Sequence, residues 1–205
     1  MDATLATEKT PAPAASGIII PLDADKPKIA FHAAMMAIQN FGFFIMYWDI
    51  WGATPSSAYQ DGVCDETRYA TGMMALTCFC VAFLCVGMGL GGATSDYYTF
   101  LVMWYLHLVG GSMYTACTVI VPAARYSKDG EDCAKLSPVN GDRLDAVYTL
   151  HAILYLFYVG GMLSITYFAF LKRKIAERKL PLIWVIAVTG IIFIIPQAIV
   201  YSVVF

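Results

Sequence analysis

The chain has 205 residues, of which 59% are hydrophobic and only 14% are charged, and its mean hydropathy is +0.64. A soluble domain carries about 25% charged residues. The composition therefore excludes an ordinary soluble enzyme and is typical of helices that face lipid. The formal net charge of -2 lacks the basic excess that nucleic-acid binding requires, so no nucleic-acid partner is predicted.

Residues 1–28 are predicted to form a flexible N-terminal tail. They are rich in Pro, Ala and Thr. They lack the basic start, apolar core and small-residue cleavage site of a secretory signal peptide. The apolar run at 18–20 is too short to cross a bilayer.

Five apolar stretches follow the tail, and each is long enough to cross a bilayer, which takes roughly 20 apolar residues per helix. The stretches lie at 29–48, 69–91, 98–122, 147–171 and 181–205. They predict an all-α integral membrane helical bundle with about five transmembrane helices, which together form a transmembrane domain over residues 29–205.

A dense basic cluster between the fourth and fifth stretches predicts the orientation of the chain. It consists of Lys172, Arg173, Lys174, Arg178 and Lys179. Short loops rich in Lys and Arg stay on the cytoplasmic or equivalent side. Because consecutive spans cross the membrane in opposite directions, this orientation predicts that the N-terminus lies inside and that the loops 49–68 and 123–146 and Phe205 lie outside. Plasma membrane, endomembrane and mitochondrial inner membrane all fit this multi-pass arrangement.

Two of the six cysteines, Cys64 and Cys133, lie in the two polar loops that this topology places on the same side. They are a candidate disulfide, which would close a loop of about 70 residues and contribute up to ~4 kcal/mol in the chain-entropy model. Two free thiols are the alternative if that side is reducing. The other cysteines lie within the apolar stretches, where packing is the expected role.

Glycines in the apolar stretches are candidate helix-packing positions, because close contact between helices in lipid depends on small residues. The candidates are Gly87, Gly91, Gly110, Gly111, Gly160 and Gly161. Gly110 and Gly160 are expected at nearly the same depth, ~18–20 Å from the outer ends of their helices. They are predicted to face each other in a shared notch; a cavity or hinge for a substrate is the alternative.

His107 is the candidate centre of an intramembrane polar cluster. Gln39, Asn40, Ser164 and Thr166 are expected near its depth. Such a cluster either joins the helices by hydrogen bonds or lines a path for protons or a polar solute, since an ionisable group at membrane depth is a functional candidate.

His32 and His151 are expected near the membrane surfaces. The predicted depths of His107 and His151 differ by more than ~15 Å, which disfavours a haem held between them. No catalytic motif and no histidine cluster with metal-ligand spacing is present in the sequence. No catalytic residue, metal site or cofactor is therefore predicted, although bound structural lipids are compatible with the apolar surface.

Three functions are compatible with the sequence. The first is a non-catalytic structural or accessory subunit, or scaffold, of a larger membrane complex, with lipids and other membrane subunits or copies of itself as partners. The second is a small transporter or channel with a polar path around His107. The third, which the sequence favours least, is a haem-binding or lipid-modifying membrane protein. The lack of a catalytic signature favours a protein that is not an enzyme.

Overall fold

The computed structural model describes residues 25–56 and 62–171. These residues form five helices, four of which are long and apolar enough to cross a membrane. The helices are α1 (Lys26–Ala53), α2 (Asp65–Thr94), α3 (Tyr97–Tyr126), α4 (Lys128–Leu136) and α5 (Pro138–Thr166), and a π-helical turn (Tyr167–Leu171) continues α5. The predicted all-α membrane bundle is confirmed. The fifth predicted span, the basic cluster and residues 1–24 of the tail lie outside the described residues.

The spanning helices are longer than the apolar stretches that predicted them. α1 begins at Lys26, and α5 begins at Pro138 rather than at 147. Hydropathy marks only the part of a helix that matches lipid, whereas polar residues extend the helix into the interface. Proline is well suited to the first turn, because its missing N–H would have no partner there.

α1 packs along α2, α2 along α3, and α5 along α1. Their shared core contains aliphatic and sulfur-containing side chains such as Ile29, Met74, Val81, Met88 and Met162, all at most 1% exposed. The backbones of α3 and α5 approach each other at few points, because large aromatic side chains separate them.

The turn between α2 and α3 is short and is fixed by its own hydrogen bonds. Ser95 has a left-handed backbone (φ 62°) that ends α2. The Asp96 carboxylate accepts from the Thr99 amide at 3.1 Å and from the Thr99 hydroxyl at 2.5 Å, capping α3. These hydrogen bonds hold the pKa of Asp96 below its usual value.

Glycines allow close contact at the α2–α3 hairpin. A Cβ on Gly91 would lie 2.7 Å from the Phe100 amide nitrogen, and one on Gly87 would lie 2.8 Å from Met103 Cγ. Between α1 and α5, a Cβ on Gly161 would lie 2.6 Å from Met36 Sδ. Close approach through small residues therefore occurs at these helix pairs.

The predicted notch between Gly110 and Gly160 is wrong for the described residues. A Cβ on Gly110 would meet Leu84 of α2 at 3.3 Å, and one on Gly160 would meet no described atom within 4 Å. Gly111 faces α5, but its neighbour is the Tyr158 hydroxyl rather than a glycine. Although the two glycines were predicted at the same depth, the backbones of α3 and α5 do not meet there, because aromatic rings fill the space between these helices.

One end of the bundle carries a cap, here called the disulfide cap, formed by α4 and the residues around Cys64. Cys64 and Cys133 are joined by a disulfide, as predicted. Ser127 begins α4 by accepting a hydrogen bond from the Gly130 amide at 3.1 Å. The bond between Cys64 and Cys133 confirms that the loops before α2 and after α3 meet at the same end.

Polar contacts join the spanning helices to one another at the end that carries the disulfide cap. Arg125 pairs with Asp145 at 2.7 Å, and Arg143 pairs with Asp49. The Asn140 side-chain amide donates to the Ala53 carbonyl at 2.8 Å. α1, α3 and α5 are therefore all tied together at this end.

We predict that replacing both bonded cysteines (Cys64→Ser with Cys133→Ser) lowers the unfolding free energy by up to about 4 kcal/mol, because the unfolded chain gains the entropy of a long open loop. Thermal unfolding in detergent measures the effect. Cys80→Ser, at an exposed free cysteine, is the matched control. Equal midpoints for the double variant and the control would contradict the structural role of the bond.

We also predict that Gly91→Ala destabilises the bundle by roughly 1–3 kcal/mol, because the added methyl group meets the backbone of Phe100. Gly52→Ala is the control, since its Cβ meets no described atom within 4 Å. Thermal unfolding of both variants distinguishes close packing from a general effect of alanine. A Gly91→Ala variant as stable as the parent would exclude this close contact.

Candidate functional site

The candidate site is a buried group of histidines and tyrosines at the centre of the bundle, between α1, α2, α3 and α5. It consists of two hydrogen-bonded trios. The His151 trio is Tyr47, His151 and Tyr114, and the His107 trio is Tyr158, His107 and Cys85. All six side chains are at most 1% exposed.

In the His151 trio, both ring nitrogens of one histidine contact tyrosine hydroxyls. Tyr114 Oη lies 2.5 Å from Nε2, and Tyr47 Oη lies 3.0 Å from Nδ1. Phe43 stacks on the imidazole with ring centroids 4.2 Å apart. The trio joins α1, α3 and α5, and it holds His151 in one orientation.

In the His107 trio, Tyr158 Oη lies 2.7 Å from His107 Nε2, and Cys85 Sγ lies 3.9 Å from Nδ1. The first contact joins α3 to α5. The second is a weak sulfur hydrogen bond that joins α3 to α2. Gly111 leaves room for the Tyr158 hydroxyl, because a Cβ at this glycine would lie 3.0 Å from that oxygen.

Aromatic rings connect the two trios. The rings of Tyr114 and Tyr158 are 4.8 Å apart, and Tyr155 lies 5.8 Å and 5.7 Å from them respectively. The Tyr155 hydroxyl is 2.6 Å from Thr115 Oγ1. This aromatic layer is what holds α3 and α5 apart, and such ring pairs add to the stabilisation from burial.

The same sequence pattern produces both histidine–tyrosine pairs. α3 reads Leu-His at 106–107 with Tyr114 seven positions after the histidine, and α5 reads Leu-His at 150–151 with Tyr158 seven positions after it. Seven residues are two helical turns, or about 10.5 Å on one face. Because the chain reverses direction between α3 and α5, each histidine meets the tyrosine of the other helix.

Counting hydrogens shows that the His151 trio has one more donor than its contacts use. Two phenol groups and a neutral imidazole supply three polar hydrogens, whereas the two contacts engage two of them. In either imidazole tautomer, one phenolic hydrogen of Tyr47 or Tyr114 is left without an acceptor inside the trio. The His107 trio has the same count, because Tyr158 can donate to Nε2 and Nδ1–H to the Cys85 sulfur, which leaves the weak S–H donor of the free Cys85 thiol unused inside the trio.

The structure does not assemble the polar cluster that the sequence predicted around His107. Gln39 donates to the Leu154 carbonyl at 2.9 Å. Asn40 donates to the Met36 carbonyl, and its Oδ1 has no partner among the described residues. Similar depth was the basis of the prediction, but depth does not determine which face of a helix a side chain occupies.

The other two predicted members of the cluster also bond elsewhere. Ser164 donates to the Gly160 carbonyl at 2.9 Å, one turn back on its own helix. Thr166 accepts from the Trp104 indole at 3.3 Å. Of the five predicted residues, His107 alone belongs to the buried histidine–tyrosine group.

The sequence predicts His151 near a membrane surface, and the structure places its side chain in the buried core of the bundle, where it is 1% exposed. Because α5 begins at Pro138, His151 lies about 20 Å along the helix axis from that end. The sequence did contain a signal for its role, namely the repeated Leu-His pattern with a tyrosine two turns later. His32 is half-buried, and its Nδ1 lies 2.7 Å from the Lys28 carbonyl.

Within residues 25–56 and 62–171, no group of three or more His, Cys, Asp or Glu side chains is arranged to hold a metal ion. Both ring nitrogens of His151 contact tyrosine oxygens, so axial ligation of a haem would require a hydrogen bond to break. The arrangement favours hydrogen bonding between helices over coordination.

Comparisons with models of known protein families, with curated proteins and with solved structures found no match. The geometry of the described residues is therefore the basis for assigning a function.

We predict that Tyr158→Phe lowers the unfolding free energy by roughly 1–3 kcal/mol, because it leaves the buried His107 Nε2 without its partner. Tyr105→Phe, at a tyrosine that is 58% exposed, is the control and should change stability little. Unfolding of both variants in detergent measures the difference. Equal stability of the two variants would show that the His107–Tyr158 hydrogen bond does not hold α3 to α5.

Proposed function

We propose that this polytopic membrane protein is a non-catalytic structural or accessory subunit, or scaffold, of a larger membrane complex. The observation that carries the proposal is the closed histidine–tyrosine core. The polar groups of the two trios pair with one another across the helices, and the trios end at Tyr47 and Cys85, each 0% exposed.

A closed core supports a scaffold better than a conducting protein. A path for protons or solutes needs polar groups that reach both membrane faces. In the described spanning helices, the Asp, Glu, Lys and Arg residues lie within about two turns of a helix end. Buried hydrogen bonds that join several helices restrict them to one packing arrangement, which suits a protein whose role is to present a defined surface.

The outward faces of α2 and α3 are the surfaces that such a scaffold would present. Phe83 and Leu90 on α2 are 65% and 60% exposed, and Val109 on α3 is 67% exposed. Side chains of this type contact lipid tails or the helices of partner subunits equally well. The proposed partners are therefore membrane lipids together with other membrane subunits or copies of this chain.

A small proton transporter or channel is the second candidate, because one specific feature favours it. Two buried histidines each contact a tyrosine hydroxyl, and the His151 trio contains an unused phenolic hydrogen. Histidine is the side chain best suited to exchange protons near physiological pH. Conduction along this route would require additional water or motion to connect its buried ends to the two faces.

One pair of measurements on the same preparation distinguishes the two functions. We expect gentle extraction and native mass analysis to recover the protein in a stoichiometric larger assembly. We also expect the purified protein in liposomes containing a pH-sensitive dye to leak protons no faster than empty liposomes under an imposed potential.

Proton flux above the background that disappears in Tyr158→Phe, but not in the exposed control Tyr105→Phe, would overturn the scaffold proposal in favour of conduction. Recovery of the protein only as a monomer, without proton flux in liposomes, would also contradict the scaffold proposal. An absorbance spectrum of the purified protein tests the haem alternative, which predicts a Soret band.

A further inference from the structure

The Asn40 amide on α1 is buried and has an unused acceptor. Its side chain is 0% exposed, and Nδ2 donates to the Met36 carbonyl at 2.8 Å. The Oδ1 atom has no partner among the described residues. A buried carbonyl oxygen is costly to leave unpaired, and ordered water is the usual partner where side chains do not reach it. This oxygen therefore calls for a small hydrogen-bond donor beside it.

The Cys85 thiol on α2 is an unused donor in the same core. Cys85 is free and 0% exposed. When its sulfur accepts from His107 Nδ1–H, at a separation of 3.9 Å, its own S–H hydrogen is left over. One spare hydrogen and one spare acceptor are thus buried on two helices that pack along each other.

The contacts between α1 and α2 place the Cys85 thiol close to the level of the Asn40 amide. A Cβ on Gly89 would lie 3.3 Å from the Ala33 Cβ. About one turn from this contact, toward the disulfide cap, α2 carries Cys85 and α1 carries Met36. The Asn40 side chain leans back to the Met36 carbonyl, as side chains on helices do, so its amide lies near that level.

The contacts between α1 and α5 bring Tyr158 to the same region. A Cβ on Gly161 would lie 2.6 Å from Met36 Sδ. About one turn from this contact, toward the disulfide cap, α1 carries Asn40 and α5 carries Tyr158. Tyr158 is 0% exposed, and its hydroxyl lies 2.7 Å from His107 Nε2. Its oxygen therefore keeps a lone pair for a second contact.

We propose that a single buried water molecule binds between the Asn40 amide, the Cys85 thiol and the Tyr158 hydroxyl, here called the core water site. The water accepts from the Cys85 S–H and donates to Asn40 Oδ1 and to Tyr158 Oη. Tyr158 meanwhile donates its own hydrogen to His107 Nε2. Three hydrogen bonds are typical of a buried water. The site uses both the spare thiol hydrogen and the unpaired amide oxygen.

The chemistry of the core water site favours water over an ion. The amide, the thiol and the phenol are all neutral in this arrangement, and the described residues place no carboxylate or cation among them. An ion held here would be a buried charge without a counter-charge, which is far more costly than a neutral, fully hydrogen-bonded water. The three side chains also require one acceptor and two donors, which a water molecule supplies.

The core water site would attach α1 to the His107 trio. The direct contacts of this trio join α2, α3 and α5, and Asn40 adds the remaining spanning helix of the described residues. The inference does not rest on the scaffold proposal. A water fixed between 0% exposed side chains is compatible with a scaffold and with a conducting protein, so either proposal can fail without the other.

Infrared spectra of the full-length protein in lipid films test the core water site directly. The films are hydrated with ordinary water or with water that carries the heavy oxygen isotope. We expect the difference between the parent and Asn40→Leu to contain an O–H stretching band that shifts with the isotope, because the variant loses the site. Gln39→Leu is the matched control, since this neighbouring amide bonds to the Leu154 carbonyl instead, and its difference spectrum should lack that band.

The S–H stretch of Cys85 provides a second readout, in a spectral region with few other protein bands. Cys85→Ala identifies the band by its loss. We expect the band to move to higher frequency in Asn40→Leu, as the thiol loses its acceptor, and to stay in place in Gln39→Leu. If Asn40→Leu does not fold, Cys85→Ala tests the site from its other side, because the isotope-sensitive band of the water should then shift.

Three results would overturn the proposal. The first is a lack of any isotope-sensitive band in the difference between the parent and Asn40→Leu or Cys85→Ala. The second is an S–H band at the same frequency in the parent and in Asn40→Leu. The third is an S–H shift without an isotope-sensitive band, which would show that the thiol donates to the amide directly and that no water lies between them.

Discussion

A polar side chain in the hydrocarbon interior of a membrane must find its hydrogen-bond partner inside the protein, because neither lipid nor bulk water can supply one. The centre of this bundle meets that requirement by reciprocal pairing. His107 of α3 meets Tyr158 of α5, and His151 of α5 meets Tyr114 of α3. The remaining ring nitrogens reach α1 and α2 through Tyr47 and Cys85. The two trios thereby connect the four spanning helices of the described residues.

This pairing also determines the packing around it. The rings that carry the hydroxyls are large, so α3 and α5 stay apart and meet through an aromatic layer. Close backbone contact is found instead where glycines face large neighbours, as at Gly91 and Phe100 or at Gly161 and Met36. At one end, the disulfide between Cys64 and Cys133 holds α4 across the bundle. The core and the cap together join the described helices into one bundle with a broad apolar exterior, which is the physical basis for proposing a scaffold.

The sequence predicted the parts of the fold that depend on one-dimensional patterns. Apolar length identified the four spanning helices of the described residues, and the shared side of two polar loops identified the cysteine pair.

The predictions failed where the outcome depended on which face of a helix a residue occupies. Gly160 and the proposed partners of His107 were placed by depth, which cannot tell which neighbour a helix face meets. The core position of His151 was missed for the same reason, since its place along the helix did not show that its face meets α1 and α3. The matching Leu-His patterns of α3 and α5 contained the missing information, because each pattern places a histidine and a tyrosine two turns apart on one face of its helix.

The central claim is that the two histidine–tyrosine contacts are mutual structural pairs. A double-mutant cycle on His107→Phe and Tyr158→Phe, with unfolding free energies measured in detergent, tests it most directly. We expect a coupling of roughly 0.6–2 kcal/mol, the range of hydrogen bonds between membrane helices. The same-helix pair His107→Phe and Tyr105→Phe, in which Tyr105 is 58% exposed and has no hydroxyl contact to the trios, should be additive. Additivity in the first cycle, or equal coupling in both, would contradict the account.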